Sequence, residues 1–344
     1  MTIEENKPLQ QLNTFGIEAY AKYYAEVNSI ADVQVLIQLP VFQNNERLIL
    51  GGGSNILFTQ NFEGLVIKNN IQGIEVTEDT ERHVVLKANA GVVWHDLVLY
   101  TIGKNYAGIE NLSLIPGCVG AAPMQNIGAY GVEIKDVFHS LEAVDLATGE
   151  IKLFGVDDCE FGYRESVFKH KYKGKYMIVS VSFFLTKLDY PNAIYQFHTE
   201  YGDIKNTLAE MRVYEPTLKA VSDAVIAIRS SKLPNPKELG NAGSFFKNPV
   251  ITNAKYESLV AINPVMPSYL QPDGSMKVPA GWLIEQCGWK GKRVGNTGSH
   301  AKQALVLVNY GGANGNEVWQ LALDIKQSVH DKFGIDINPE VNVV

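Results

Sequence analysis

Four segments of the chain repeat apolar residues every three or four positions, which is the period of a helix with one buried face. These segments are residues 30–39, the stretch that follows Gly91, residues 217–229 and residues 316–333. The side chains predicted to face inward are Ile30, Val33, Leu36 and Ile37; Val93, Leu97 and Tyr100; Leu218, Val221, Val225 and Ile228; and Val318, Ala322, Ile325 and Val329. Ser29 is predicted to cap the first helix, and Gly334 to end the last.

Runs rich in β-branched and other apolar residues predict strands between and after these helices. The runs are residues 23–27, 48–50, 65–67, 83–89, 176–185, 304–308 and 340–344. Residues 140–145 and 150–153 flank a Thr148-Gly149 turn and predict a hairpin. A short helix is predicted at residues 281–287, and a long loop at residues 233–249. Helices and strands of this mixture predict an α+β protein.

One run in the middle of the chain carries neither pattern. Residues 114–131 are rich in glycine, contain two prolines and lack any charged side chain. Such a run predicts a loop whose backbone approaches a ligand closely and whose N–H groups attract an anion. Gln125 and Asn126 add amides that could pair with a heteroaromatic ring edge or a phosphate. We call residues 109–131 the cradle loop.

A second glycine-rich stretch, Gly51-Gly52-Gly53-Ser54-Asn55, follows the predicted strand at residues 48–50. It predicts a tight turn with free N–H groups that can hold a pyrophosphate without a lysine. Neither the dinucleotide spacing G-x-G-x-x-G nor the P-loop spacing occurs in the chain. Each glycine-rich stretch, taken alone, is also typical of a surface loop.

Length, charge and cysteine content narrow the class of protein. The 344 residues exceed what one core usually organises, so two or three domains are expected. The net charge of −7 argues against a nucleic-acid binder. Three separated cysteines, Cys118, Cys159 and Cys287, suggest reduced thiols in a cytoplasmic protein. The polar start lacks the features of a signal peptide, and no apolar run predicts a membrane span.

Six segments, in order, carry a resemblance to one family. They are residues 51–55, 115–131, 162–166, 229–234, 243–249 and 339–341. On these segments the chain resembles the UDP-N-acetylenolpyruvoylglucosamine reductase (MurB) family, in its longer-looped type I. Its flavin-binding domain is of the vanillyl-alcohol-oxidase and para-cresol-methylhydroxylase type.

The resemblance implies an α+β fold with two domains. A two-part FAD-binding domain would cover residues 1–187, with subdomains of about 1–70 and 71–187. A C-terminal α+β substrate-binding domain would cover residues 188–344. A shift in composition at residues 186–191 supports this boundary.

The resemblance also implies a reaction. NADPH would reduce a non-covalently bound FAD, and hydride would then pass to the enolpyruvyl ether of a UDP-amino sugar, giving UDP-N-acetylmuramate for peptidoglycan synthesis. The implied partner is this small-molecule substrate, and no metal, nucleic acid, membrane or protein partner is implied.

Three residues are candidates for the chemistry by motif match. Arg164, in Tyr-Arg-Glu-Ser, can hold the substrate carboxylate with its fork of donors. Ser244, in Gly-Ser-Phe-Phe, would donate a proton to the carbanion, and Glu340, in Pro-Glu-Val, would be a half-buried acid that stays protonated. Without the family context, a surface pair of Arg164 with Glu165, a turn cap at Ser244 and an exposed Glu340 remain open.

The binding residues follow from the same motifs. The cofactor-binding set is Gly51, Gly52, Gly53, Ser54, Asn55, Ile115, Gly117, Gly120, Ala121, Gln125, Asn126 and Gly128. The substrate-binding set is Tyr163, Tyr201, Lys232, Asn248 and Tyr269. His300, in Thr-Gly-Ser-His-Ala, matches a family motif without an assigned role. Asn342 stands where the family often has arginine, which puts one flavin phosphate contact in doubt.

Two other functions are compatible with the same pattern. An FAD-linked sugar or alcohol oxidase could use this type of domain, but such oxidases often bind flavin covalently through His or Cys, and the cradle loop offers only Cys118. A non-catalytic module that binds flavin or a nucleotide sugar would not need Arg164, Ser244 and Glu340 together.

Overall fold

The computed structural model describes residues 1–190 and 193–344, so Pro191, at the end of the predicted boundary segment, lies outside the described residues. The described chain forms two compact units. Unit 1 contains residues 1–7, 21–52 and 63–231, and unit 2 contains residues 8–20, 53–62 and 232–344. This division by compactness differs from the division into functional domains, whose boundary after residue 187 stays a prediction.

The first part of unit 1 is a four-stranded sheet. Its strands lie in the order Ile3–Pro8, Tyr20–Val27, Phe62–Asn69 and Arg47–Leu50, and the last two are parallel. The helix predicted at 30–39 covers Ile30–Leu36, and the Ser29 hydroxyl accepts from the Asp32 N–H as its cap. The helix ends early because Leu39, which precedes Pro40, is extended, and Pro40–Gln43 forms a separate short helix.

The second part of unit 1 is a six-stranded sheet around a large apolar core. Its strands are Ile151–Phe154, Phe138–Asp145, Tyr176–Lys187, His83–Asn89 and Ile74–Asp79, with Tyr106–Ala107 beside the third. The hairpin predicted at 140–153 is confirmed by the antiparallel pairing of its two strands. Short helices at Val156–Cys159, Ile134–Asp136 and Val167–Lys169 complete this part.

The helix after Gly91 is shifted from its predicted register. It covers Trp94–Gly103 and buries Trp94, Leu97, Val98 and Thr101. Val93, which was predicted on the inner face, is 46% exposed. The indole of Trp94 decides the register, because it packs against Phe183 and its N–H donates to the Leu112 carbonyl at 2.9 Å.

The last part of unit 1 is helical. The predicted helix at 217–229 covers Leu218–Lys232, and its four predicted inward residues are all buried. A helix at Ile204–Glu210, which the sequence analysis did not predict, packs Ile204 and Leu208 into the same cluster.

Unit 2 is built on a four-stranded antiparallel sheet in the order Gly240–Ser244, Val306–Asn309, Thr297–Ser299 and Arg293–Val294. The first strand lies inside the predicted loop at 233–249, so that prediction was wrong in part. Its helices are Gln10–Leu12, Asn253–Val260, Ala280–Gln286 and Gly315–Phe333. Asn314 caps the last helix and Gly334, with φ +58°, ends it as predicted.

Two smaller sheets complete unit 2. Val250–Ile251, Met276–Lys277 and Tyr269–Leu270 form one, and Asn342–Val343 pairs in parallel with Ile56–Leu57 in the other. Across the described residues, no helix has the length and apolar character needed to cross a membrane. No cluster of His, Cys, Asp or Glu side chains in the same residues could hold a metal ion.

Candidate active site

Gly51 and Gly52, which begin the first glycine-rich stretch, lie against the cradle loop within unit 1. A Cβ atom placed on Gly52 would lie 2.9 Å from the Cα atom of Gly117, so a side chain at residue 52 would force the two backbones apart. The Lys68 ammonium donates to the Gly51 carbonyl and holds the first stretch from the other side. The Gly117 carbonyl accepts from the Trp94 N–H at 3.0 Å, which ties the second stretch to the core.

Several backbone donors in this region are left for a ligand. Among the described residues, the N–H groups of Gly52, Ile115 and Gly117 donate to no protein acceptor. Free N–H groups on two neighbouring loops that are poor in side chains favour an anion such as a pyrophosphate. These residues therefore fit the diphosphate of FAD.

Much of the cradle loop is ordered by its own hydrogen bonds. It contains short 3-10 turns at Glu110–Leu112, Val119–Ala121 and Pro123–Gln125, and a short strand, Gly128–Ala129, that pairs with Val132–Glu133. The Gly120 N–H donates to the Ala90 carbonyl at 3.0 Å. Gly120 therefore contributes close packing rather than a free donor.

The side chain of Asn126 is fully buried and is used inside the protein. Its Nδ2 donates to the Glu133 carboxylate at 2.9 Å and to the Gly162 carbonyl at 3.1 Å, and its Oδ1 accepts from the Lys135 N–H at 3.2 Å. Its backbone is left-handed, with φ +41°. Asn126 thus joins the cradle loop to the segment that carries Arg164, and a direct contact with the cofactor stays a prediction.

Replacing Asn126 with alanine should destabilise unit 1. The change removes three side-chain hydrogen bonds made by a fully buried amide and leaves a cavity in its place, which should cost about 2–3 kcal/mol. The midpoint of urea unfolding, followed by circular dichroism, measures this loss. Asn316→Ala, an exposed helix position, is the control and should leave the midpoint nearly unchanged; an equal loss in both variants would contradict the role of Asn126.

Arg164 stands in a strained turn. The N–H groups of Gly162 and Glu165 donate to each other's carbonyls, at 3.0 and 3.3 Å, and Arg164 has φ +56° between them. A bulky residue in this left-handed region costs about 1 kcal/mol or more and is often held at functional sites. The Arg164 Nη2 donates to the Gly128 carbonyl at 2.7 Å, and the Ser166 hydroxyl donates to the Met124 carbonyl at 2.7 Å. The turn is therefore fixed to the cradle loop.

A second segment of unit 1 lies against the end of the cradle loop. The Asn111 Nδ2 donates to the carbonyls of Tyr130 and His198, at 3.0 and 2.7 Å. Tyr201, which is 54% exposed, lies so close to Gly131 that a Cβ on the glycine would be 3.2 Å from the tyrosine Cβ. Tyr201 is thus held beside the cradle loop, and Tyr163 lies in the turn that carries Arg164.

Unit 2 brings Ser244 and Glu340 into neighbouring positions. The Glu340 N–H donates to the carbonyl of Phe245, the residue after Ser244, at 2.7 Å. Ser244 ends a strand and is exposed, whereas Phe245 and Phe246 are buried beneath it. Glu340 is half-buried, and its carbonyl accepts from the Asn55 Nδ2 at 3.3 Å.

Asn342 has a structural contact of its own. Its Nδ2 donates to the Asn55 carbonyl at 2.9 Å, and its backbone N–H donates to the same oxygen at 3.1 Å. Asn342 therefore orders the Gly53–Asn55 turn in unit 2, at the position where the family often has arginine.

The remaining predicted residues of unit 2 have mixed surroundings. The Asn248 Oδ1 accepts from the Ala280 N–H at 2.9 Å, at the start of a helix. Lys232 and Tyr269 are exposed. The Nδ1 atom of His300 is buried without a hydrogen-bond partner among the described residues, and burial lowers the pKa of its imidazole, with Lys302 adding to the effect.

The candidate residues therefore fall into two groups, one in each compact unit. Unit 1 holds Gly51, Gly52, the cradle loop, Tyr163, Arg164 and Tyr201, and unit 2 holds Gly53, Ser54, Asn55, Lys232, Ser244, Asn248, Tyr269 and Glu340. The convergence of Arg164 with Ser244 and Glu340 stays a prediction.

Sequence reasoning assigned no role to Arg229. This cation is four residues after the buried Val225 and continues the apolar stripe of its helix. A charged residue at a core-facing position was the signal that could have found it.

Comparison with known proteins identifies both parts of the chain. The FAD binding domain family matches residues 21–155. The C-terminal domain of UDP-N-acetylenolpyruvoylglucosamine reductase matches residues 235–344.

Similar proteins cover the whole chain. The UDP-N-acetylenolpyruvoylglucosamine reductase of Amoebophilus asiaticus is 51% identical, over 100% of both chains. That of Flavobacterium johnsoniae is 48% identical, also over 100% of both chains. A crystal structure of the enzyme (MurB) from Thermus caldophilus has the same fold, with a TM-score of 0.68 and 20% identity over 100% of this chain and 99% of that one. The chain belongs to the UDP-N-acetylenolpyruvoylglucosamine reductase (MurB) family.

Proposed function

We propose that the protein reduces UDP-N-acetylglucosamine enolpyruvate to UDP-N-acetylmuramate, with NADPH as electron donor and non-covalently bound FAD as carrier. The observation that carries this proposal is the 51% identity, over the full length of both chains, to a relative of that name. The free N–H groups of Gly52, Ile115 and Gly117 support a diphosphate cofactor beside the cradle loop. The reaction supplies a precursor of peptidoglycan.

The chemistry divides between cofactor and chain. Bound FAD supplies a hydride, received from NADPH, to the terminal vinyl carbon of the substrate. The electron pair of the double bond then moves onto the inner carbon and is delocalised into the adjacent carboxylate. Arg164 binds that carboxylate and stabilises the additional negative charge.

Ser244 completes the reduction by donating its hydroxyl proton to the inner carbon. Serine is a weak acid, so it can protonate only a strongly basic centre, and the carbanion is one. Glu340, held beside the Ser244 strand by its hydrogen bond to Phe245, donates to the developing enolate in its protonated form. Lys232, Asn248, Tyr163, Tyr201 and Tyr269 bind the sugar and diphosphate parts of the substrate.

The surroundings of Cys118 support non-covalent flavin. The residue is 7% exposed, and burial raises the pKa of its thiol, although Lys68 opposes this effect. A thiol kept protonated is a poor nucleophile. The oxidase alternative, which often relies on a covalent link, is therefore not favoured.

The location and partners belong to this proposal. Its two nucleotide substrates, NADPH and a UDP-sugar, are cytoplasmic metabolites, so the protein is assigned to the cytoplasm. No nucleic acid or protein partner is required for the reaction.

Stopped-flow spectroscopy without oxygen tests the function. NADPH should bleach the yellow absorbance of the purified holoprotein, and UDP-N-acetylglucosamine enolpyruvate should restore it. Rapid recovery with oxygen and none with the enolpyruvate would support an oxidase instead. A protein that NADPH does not bleach would support a binding module.

A further inference from the structure

Arg229 is a half-buried cation that the reaction described above does not use. It lies in the last turn of the Leu218–Lys232 helix, one residue after the buried Ile228. Its Nε atom has no access to solvent and no hydrogen-bond partner among the described residues. No carboxylate in that part of the chain forms an ion pair with it.

The groups around Arg229 do not neutralise its charge. Burial lowers the pKa of its guanidinium, Tyr130 acts in the opposite direction, and the positive charge of Arg164 lowers the pKa further. His95 is also within reach of its field: burial lowers the pKa of His95, and Arg229 adds to that effect although Asp96 opposes it. The His95 Nδ1 already accepts from the Leu114 N–H at 3.0 Å, so it is the neutral form that fits.

Arg164 and Arg229 both lie at the end of the cradle loop: Arg164 donates to the Gly128 carbonyl, and Tyr130 packs against the apolar cluster that contains Ile228, the residue before Arg229. Two like charges placed at one end of the same loop repel one another. A buried Nε–H group without a partner is costly on a guanidinium, and the helix C-terminus offsets only part of that cost. An anion shared by both arginines removes the repulsion and satisfies the free donor. Two guanidinium forks around one planar carboxylate are a favourable arrangement for this purpose.

We propose that Arg229 is a second ligand of the substrate carboxylate, so that Arg164 and Arg229 together bind the enolpyruvyl group of the substrate. This inference rests on the proposed function, since it uses the same substrate. Arg229 then makes the protein bind the enolpyruvyl ether more tightly than UDP-N-acetylglucosamine, which lacks this carboxylate.

Binding to the oxidised holoenzyme tests the inference without turnover. The dissociation constants of UDP-N-acetylglucosamine enolpyruvate and of UDP-N-acetylglucosamine are measured by calorimetry or by the shift of the flavin spectrum. In Arg229→Gln, we expect affinity for the enolpyruvate to fall about 100-fold, while affinity for UDP-N-acetylglucosamine stays within about twofold. Arg229→Lys should recover part of the loss because it restores the charge without the fork. Arg82→Gln, at an exposed arginine, should change neither constant.

The outcomes separate this inference from the function on which it rests. If the unaltered protein bound neither ligand, the proposed function would fail. Equal affinity of the unaltered protein and Arg229→Gln for the enolpyruvate would overturn the inference alone. An equal loss for both ligands would make Arg229 a structural residue. A loss confined to FAD affinity or to the flavin potential would place the anion on the cofactor and would also overturn the inference.

Discussion

Replacing Ser244 with alanine should leave flavin reduction by NADPH intact and slow flavin reoxidation by UDP-N-acetylglucosamine enolpyruvate by about 10²–10⁴-fold. The hydroxyl is the proposed proton source for the carbanion, and only the second half of the reaction creates that carbanion. Ser244 is exposed at the end of its strand, so the loss of one oxygen atom should not disturb the buried Phe245 and Phe246. Rapid-mixing absorbance at the flavin band measures each half separately.

Ser258→Ala is the matched control for this experiment. Ser258 lies on the helix Asn253–Val260, and its hydroxyl donates locally to the Lys255 carbonyl at 2.7 Å. Both half-reactions should keep their rates in this variant. An equal fall in both halves in Ser244→Ala would contradict the assignment of Ser244 as the proton donor.

Replacing Gly53 with alanine should destabilise unit 2 by about 4 kcal/mol or more. Gly53 has φ +64°, and a Cβ atom there would lie 1.9 Å from the Leu12 carbonyl oxygen, which is backbone and cannot move aside alone. The two segments are also held together by a hydrogen bond, because the Thr14 N–H, two residues after Leu12, donates to the Gly53 carbonyl at 3.0 Å. The clash adds to the cost of a left-handed residue with a side chain.

Gly16→Ala separates the two costs. Gly16 belongs to the same unit and has φ +66°, but a Cβ atom there would meet nothing within 4 Å. We expect this variant to lose only about 1–2 kcal/mol, the cost of the backbone conformation. The urea midpoints of the two variants, measured side by side without FAD, test the comparison; similar midpoints would mean that the contact of Gly53 with Leu12 does not constrain the protein.

Local sequence patterns predicted the regular elements well where one periodic signal dominated. The helices Leu218–Lys232 and Gly315–Phe333 have the predicted buried faces, and the strand His83–Asn89 has its predicted bounds. These elements are determined by residues close in sequence: an apolar stripe, an Asn314 cap, a Gly334 end. The family motifs, read in order, also predicted FAD and the reductase family.

The predictions failed where distant residues decide the structure. The stretch at Gly240–Ser244 contains two glycines and reads as a loop, yet it is a strand because it pairs with Val306–Asn309. The helix Trp94–Gly103 turns Trp94 inward because the indole ring packs against Phe183 and its N–H donates to the Leu112 carbonyl. Neither partner is visible in the local pattern.

The site shows the same division. The sequence by itself determined which residue types are present: side-chain-poor loops, an arginine, a serine and an acid in their motifs. Only the tertiary structure decided what each side chain contacts. It turns the Asn126 amide inward, where the amide joins two loops, and it buries the Nε atom of Arg229 without a hydrogen-bond partner among the described residues. The reason is physical: the strength of a hydrogen bond and the cost of a buried polar atom depend on which groups meet in space. Some of those groups, such as Asn126 and Gly162, are far apart along the chain.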